Sequence, residues 1–182
     1  MDSIGIHDGP QLPDELSDIR LLGSEYSLRN LHPLFSWPTV VATYDGGQPA
    51  FCAHDFFNTR DEIRLYNDTT RTEDLMWIQA RSAASRWYDV TWAPSGEWVG
   101  SIRRWELLDP LEYVVGVIKP AHILYPVTHN IATVSDFIVA EFAADGLARY
   151  RLSFQTPGAA GPVDRRLIFA AVLCYIFRRH HF

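Results

Sequence analysis

Arginine is the residue type with the clearest chemical potential in this chain. Of sixteen basic residues fifteen are Arg, and Lys119 is the single Lys. A planar guanidinium grips phosphate or carboxylate through two parallel hydrogen bonds, so grouped arginines could read an anionic ligand. Apolar–polar alternation places Arg103, Arg149 and Arg151 on outward strand faces, and Arg81 joins them if Met76, Ile78 and Ala80 are the inner face of its strand, so that the four could act together. The competing arrangement is a solvated strand face where each Arg meets a carboxylate such as Glu97, Glu106 or Glu141. The same parity turns Trp87 outward and puts Trp105 on the side of Arg103. A Trp–Arg surface suits a protein interface, whereas aromatic pairs covering a neighbouring strand would be purely structural.

Catalytic constellations are weaker. His122 and His129 are seven residues apart, with Asp136 seven further on, a wider spacing than the tight pairs of metal sites. His54-Asp55 would be an acid–base pair only beside a substrate pocket, and His180-His181 reads as a helix end. Cys52 shares a strand face with His54, while Cys174 sits among apolar residues as a small buried hydrophobe. No Gly-x-Ser-x-Gly elbow occurs, and Gly158-Ala-Ala-Gly161 lacks the Lys-Ser/Thr of a phosphate cradle. Asn67-Asp68-Thr69 matches a glycosylation sequon, without an export signal to give it meaning. The expectation is a protein with no catalytic residue, no metal and no cofactor.

Composition bounds the remaining classes. The chain has 182 residues, a formal charge of −6, 47% hydrophobic and 21% charged residues, the mix of one globular domain. The acidic balance argues against a nucleic-acid partner, which calls for a basic footprint. Two cysteines are too few for a disulfide scaffold or a four-cysteine zinc site. Met1-Asp2-Ser3 does not open a signal peptide, so the expected address is cytoplasmic, with a membrane-peripheral variant of it.

The elements that would position these residues are strands. Residues 1–33, punctuated by Gly9-Pro10, Pro13 and Pro33, read as a partly irregular arm with a short helix from Asp14 to about Leu22. From there to residue 182 a barrel is expected. Its strands are Thr39–Tyr44, Pro49–His54, Ile63–Tyr66, Leu75–Arg81, Trp87–Trp92, Glu97–Trp105, Tyr113–Ile118, His122–Val127, Phe137–Phe142 and Leu147–Phe154. In the last, Ala148, Tyr150, Leu152 and Phe154 form the dry face. In Trp87–Trp92 the dry set is Tyr88, Val90 and Trp92.

The C-terminal segment breaks this pattern. A helix over about 162–180 is expected, with Pro162 at its first position, Asp164 in the first turn, and Arg178 and Arg179 in the last. Leu167–Phe177 has no polar face and is too short for a bilayer, which takes roughly 20 apolar residues. A helix of this kind belongs inside protein. The reading is a mainly β chain: a closed antiparallel β-barrel threaded by a hydrophobic C-terminal α-helix, with no transmembrane span.

That order of features resembles the tubby C-terminal-like superfamily, above all LURP-one-related proteins and the globular domain of phospholipid scramblases. The residues carrying it are the Tyr44–Phe51 hairpin, the segment from Leu75 to Arg81, Arg86-Trp87-Tyr88-Asp89-Val90, and the turn Ser95-Gly96 leading into Val99–Arg104. The Phe137–Phe154 hairpin and Asp164-Arg165-Arg166 complete it. The resemblance implies a non-enzymatic protein, and for tubby domains the binding of phosphoinositide headgroups by basic residues outside the barrel. The chain departs from scramblases in lacking their Pro-rich region, palmitoylated Cys cluster and acidic calcium loop, and from tubby domains in lacking Lys-rich strands. The functional expectation is a non-enzymatic binding or scaffold module that docks a protein partner through the barrel exterior, with Trp87 and Trp105 at the interface. The alternative is a peripheral membrane protein binding anionic phospholipid or phosphoinositide headgroups through Arg81, Arg103, Arg149 and Arg151.

Overall fold

The structure, a computed structural model, describes residues 21, 23–31, 39–44, 47, 49–56, 61–67, 70–82, 86–121, 128–146, 148–155 and 162–177. Twelve strands precede one helix among them. The strands are β1 (Glu25–Leu31), β2 (Thr39–Tyr44), β3 (Pro49–Phe56), β4 (Glu62–Tyr66), β5 (Asp74–Ala80), β6 (Trp87–Trp92), β7 (Glu97–Arg103), β8 (Glu106–Leu108), β9 (Val114–Pro120), β10 (Thr128–Thr133), β11 (Ile138–Ala144) and β12 (Arg149–Phe154). Each pairs antiparallel with its sequence neighbours, and β1 pairs with β12, so the sheet closes on itself. Closure removes the exposed edges that would template aggregation.

Alternation decides which face of each strand is dry. In β12 Tyr150, Leu152 and Phe154 are buried while Arg149 and Arg151 are exposed, and in β6 Tyr88, Val90 and Trp92 are buried. Gly100 of β7 has φ 141° and lies so close to β8 that a Cβ would fall 2.2 Å from the Leu108 carbonyl oxygen. Only glycine fits that approach.

Two strand assignments differ from the sequence reading, and two expected elements fall on residues outside the described set. The segment read as an arm contains β1, whose Tyr26 and Leu28 are fully buried and which closes the barrel, so the barrel begins ahead of residue 34. The turn at Arg104 splits the expected Glu97–Trp105 strand and starts the three-residue β8. The expected strand His122–Val127 lies outside the described residues, and β10, over Thr128–Thr133, is a strand the sequence reading did not name. The expected Asp14–Leu22 helix lies, but for Leu21, outside them too.

The helix, α1 (Arg165–Phe177), starts three residues later than expected, and residues 178–180 lie outside the described set. Pro162 therefore precedes it. Asp164 caps it: its side-chain Oδ1 accepts the Arg166 N–H at 2.8 Å and its carbonyl accepts the Ile168 N–H at 3.2 Å. Leu167 through Cys174 are all buried, on every side of the helix. Phe169 meets Tyr26 of β1, Phe51 of β3 and Phe154 of β12, with centroids 4.9, 5.1 and 5.5 Å away. Tyr175 meets His129 of β10 and Phe142 of β11, at 4.8 and 5.2 Å. Burial on every side, with these contacts from one half of the ring and further contacts from β7 and β8, puts the helix inside the ring of strands. No described helix is long and apolar enough to cross a membrane.

Phe169 is fully buried where three strands converge on the helix. Phe169→Ala is expected to destabilise the fold by about 3–5 kcal/mol, through lost transfer energy and an unfilled cavity. Urea unfolding of the variant checks this, and an unchanged midpoint would contradict the central position of the helix.

Candidate functional site

Strand pairing gathers part of the expected site at the ends of β5 to β8. Trp87 opens β6 and pairs with Arg103 at the end of β7, which pairs in turn with Glu106 of β8. Arg81 follows β5, and its N–H donates to the Trp87 carbonyl at 3.0 Å. The indole of Trp87 thus has the Arg81 guanidinium 4.0 Å from a ring centroid and that of Arg103 at 5.2 Å. These are cation–π distances. Arg81 also donates to Asp89 at 2.9 Å, Glu112 at 2.8 Å and Ser101 Oγ at 3.2 Å, and Arg103 pairs with Glu106 at 2.7 Å. Burial opposes the charge of Arg81, but its hydrogen bonds to Glu112 and Asp89 outweigh it and raise its pKa above the usual arginine value.

Two further arginines complete this end. The Arg104 N–H donates to the Arg86 carbonyl at 2.9 Å, which sets the β7–β8 turn beside the start of β6. Both side chains are exposed, and neither forms an ion pair among the described residues. The surface around Trp87 therefore has two layers. Arg81 and Arg103 are held by carboxylates and brace the indole, while Arg86 and Arg104 are exposed beside it without an ion pair among the described residues.

Trp105 does not belong to this surface. Arg104 has φ 55°, so the chain reverses there and strand parity does not carry past Arg103. The Trp105 ring packs against the core instead, stacked on His129 at 6.1 Å and 11° and tilted against Tyr175 at 6.4 Å.

Arg149 and Arg151 are outward as expected, but on the far wall. In the ring of twelve, β12 and β6 are six strands apart in either direction. The four expected arginines are thus two pairs on opposite walls. Arg149 stands directly opposite Arg29 of β1, and Arg151 opposite Ser27. A like-charge pair in register is unfavourable, and neither Arg29 nor Arg149 has an ion-pair partner among the described residues. Arg151 reaches Glu25 at 3.8 Å. A cavity of about 310 Å³ adjoins Arg151, lined also by Glu25, Ser27, Thr43, Tyr44 and Asp145.

Other polar and sulfur-bearing side chains are buried or tie elements together. Cys52 and Cys174 are both buried and free of disulfides. Arg166 spans Asp164 and Glu97 at 2.7 and 2.6 Å and ties the helix entrance to β7. Burial opposes its charge, but its hydrogen bonds to both carboxylates prevail and raise its pKa. Arg165, 6% exposed, donates to the carbonyls of Leu21 and Gly23 at 3.0 and 2.8 Å, and burial lowers its pKa. No group of three His, Cys, Asp or Glu side chains that could hold a metal ion occurs among the described residues.

His54 is 1% exposed on β3, with Nδ1 2.9 Å from Thr39 Oγ1. Burial and, second, the charge of Arg71 lower its pKa from 6.5 to about 4. Between these values the unfolded chain binds the proton and the folded chain does not, so stability falls as pH drops from 6.5 towards 4. His54→Gln is expected to remove that component, which stability measured at a series of pH values would show as a shallower slope in this window. An unchanged slope would contradict a neutral buried His54.

No protein-family profile and no curated protein matches this chain. Among solved structures, an Arabidopsis thaliana protein determined by X-ray crystallography superposes with a TM-score of 0.61 at 14% identity, over 91% of this chain and 98% of that one. At that identity the similarity is one of fold.

Sequence reasoning missed Arg29, Arg86 and Arg104 as candidate site residues. Arg29 lies in the β1 segment read as an arm, although Tyr26 and Leu28 alternating with Ser27 and Arg29 carried the strand signal. Arg86 and Arg104 each adjoin a residue that was singled out, and nothing local showed that the chain brings them together.

Proposed function

We propose that this chain is a non-enzymatic binding module of the tubby-like barrel type that docks a protein partner through its exterior. What supports this most is the composite surface around Trp87. An indole braced from two guanidinium groups is a rigid aromatic anchor, and such anchors dominate protein interfaces. Arg86 and Arg104 beside it fit a partner segment carrying Asp or Glu. The helix in the lumen favours the same reading, because a barrel filled by its own side chains offers a ligand only its outside.

The expected outcome of an affinity capture with the intact chain is a partner retained by the wild type and lost from an Arg86→Glu/Arg104→Glu variant, with retention weakened by salt. Trp87→Ala should cost such a complex about 2 kcal/mol or more. Recovery of nothing by the wild type, or of the same proteins by the variant, would contradict the reading.

A second reading rests on the opposite wall. The facing Arg29 and Arg149, with Arg151 beside them, are suited to anionic phospholipid or phosphoinositide headgroups. Flotation with vesicles containing phosphoinositide tests it. Binding should rise with phosphoinositide content, fall with salt and be lost in Arg29→Ala/Arg149→Ala; binding indifferent to all three would remove it.

A further inference from the structure

The exposed large hydrophobic side chains are concentrated. Leu111 and Tyr113, in the connection after β8, are 75% and 68% exposed. Val134 and Phe137, in the connection after β10, are 64% and 57% exposed, and the adjoining Ile138 is 39% exposed. Strand β9 lies between β8 and β10, and its Gly116 pairs with Leu107 on one side and Thr133 on the other. The two tips therefore flank the start of β9 and form one apolar surface.

Both tips are held in shape. The Asp109 carboxylate accepts the N–H groups of Leu111 and Tyr113, both at 2.9 Å. Thr133 donates its N–H to the Phe137 carbonyl at 2.9 Å and accepts the Phe137 N–H on Oγ1 at 3.2 Å. Each tip also carries an acidic residue at positive φ, Glu112 at 64° and Asp136 at 62°. Each of these is tied to a base: Glu112 to Arg81, and Asp136 to Lys119. Preformed loops bind with little ordering cost.

We propose that this surface is the contact between two copies of the chain, in a two-fold dimer. Fully exposed aromatic side chains offer about 150–250 Å² each and aliphatic ones somewhat less, so Tyr113 and Phe137 with Leu111, Val134 and Ile138 at these exposures present on the order of 500 Å². That lies at the upper end of the apolar patches of monomers and matches the core of an interface burying about 800 Å² per partner. A two-fold contact must be self-complementary. The Glu112–Arg81 and Asp136–Lys119 pairs offset part of the acidic charge at the tips, which limits repulsion between two copies of a chain of charge −6. An anionic bilayer fits less well, because Asp109, Glu112 and Asp136 outnumber Arg81 and Lys119, the bases that reach the tips from neighbouring strands. Arg81 touches both surfaces, bracing Trp87 and pairing with Glu112, but the tip side chains that test the proposal, Leu111, Tyr113 and Phe137, are none of those that test the partner-docking reading.

Sedimentation equilibrium of the intact chain over the micromolar range tests it. The wild type should show a concentration-dependent approach to twice the monomer mass. Tyr113→Glu/Phe137→Glu should sediment as a monomer, its dimer weakened about a hundredfold or more, with unchanged circular dichroism and thermal midpoint. The exposed single variant Leu111→Glu gives a second check if the double variant folds poorly. A wild type that stays monomeric at high micromolar concentration would overturn the proposal. So would a dimer persisting in folded variants, or vesicle binding that these variants abolish while the wild type sediments as a monomer.

Discussion

The structure depends on one constraint: a helix without a polar face has to be removed from water. Each of its large side chains contributes roughly 1.5–3 kcal/mol on burial, and together they exceed the net stability of a domain. Twelve strands form a ring wide enough to admit a helix, whereas about eight leave room only for their own side chains. Phe169 and Tyr175 illustrate the fit, each ringed by aromatic side chains from different strands. Strand and helix solve each other's problem, since the inward faces of the strands need a filler as much as the helix needs a cover.

The helix entrance shows how charge is accommodated at the edge of such a core. Asp164 caps the helix, Arg166 bridges Asp164 and Glu97, and Arg165 turns to backbone carbonyls while lying 4.0 Å from the Phe154 ring centroid. An unpaired buried charge costs several kcal/mol, so these partners are a condition for seating the helix. A filled interior then leaves the outer wall as the surface available for recognition. That wall is not uniform: Trp87 and its arginines face one way, Arg29 and Arg149 the opposite way, and the apolar tips flank β9.

Closed barrel and threaded helix were both legible from local signals. Alternation in Trp87–Trp92 and Arg149–Phe154 gave the faces correctly, and the wholly apolar Leu167–Phe177 pointed inward. The site was legible only in pieces. Arg103–Glu106 is a near neighbour in sequence and was open to inspection, but Arg81–Glu112 spans 31 residues and Arg166–Glu97 spans 69. Such pairs follow from register, which hairpin signals do not supply over several strands. Trp105 was misplaced because parity was carried through Arg104, whose positive φ ends the strand. β1 was passed over because prolines on either side of it suggested an arm, and Arg29 was lost with it.

Amide hydrogen exchange along α1 tests the central claim most directly. If Leu167–Phe177 is enclosed by the barrel, its amides should exchange only through global unfolding, with protection equal to the stability found by denaturation and no faster face. Rapid exchange of the helix while the strands stay protected would contradict the account, because it would place the helix where water reaches it without opening the barrel.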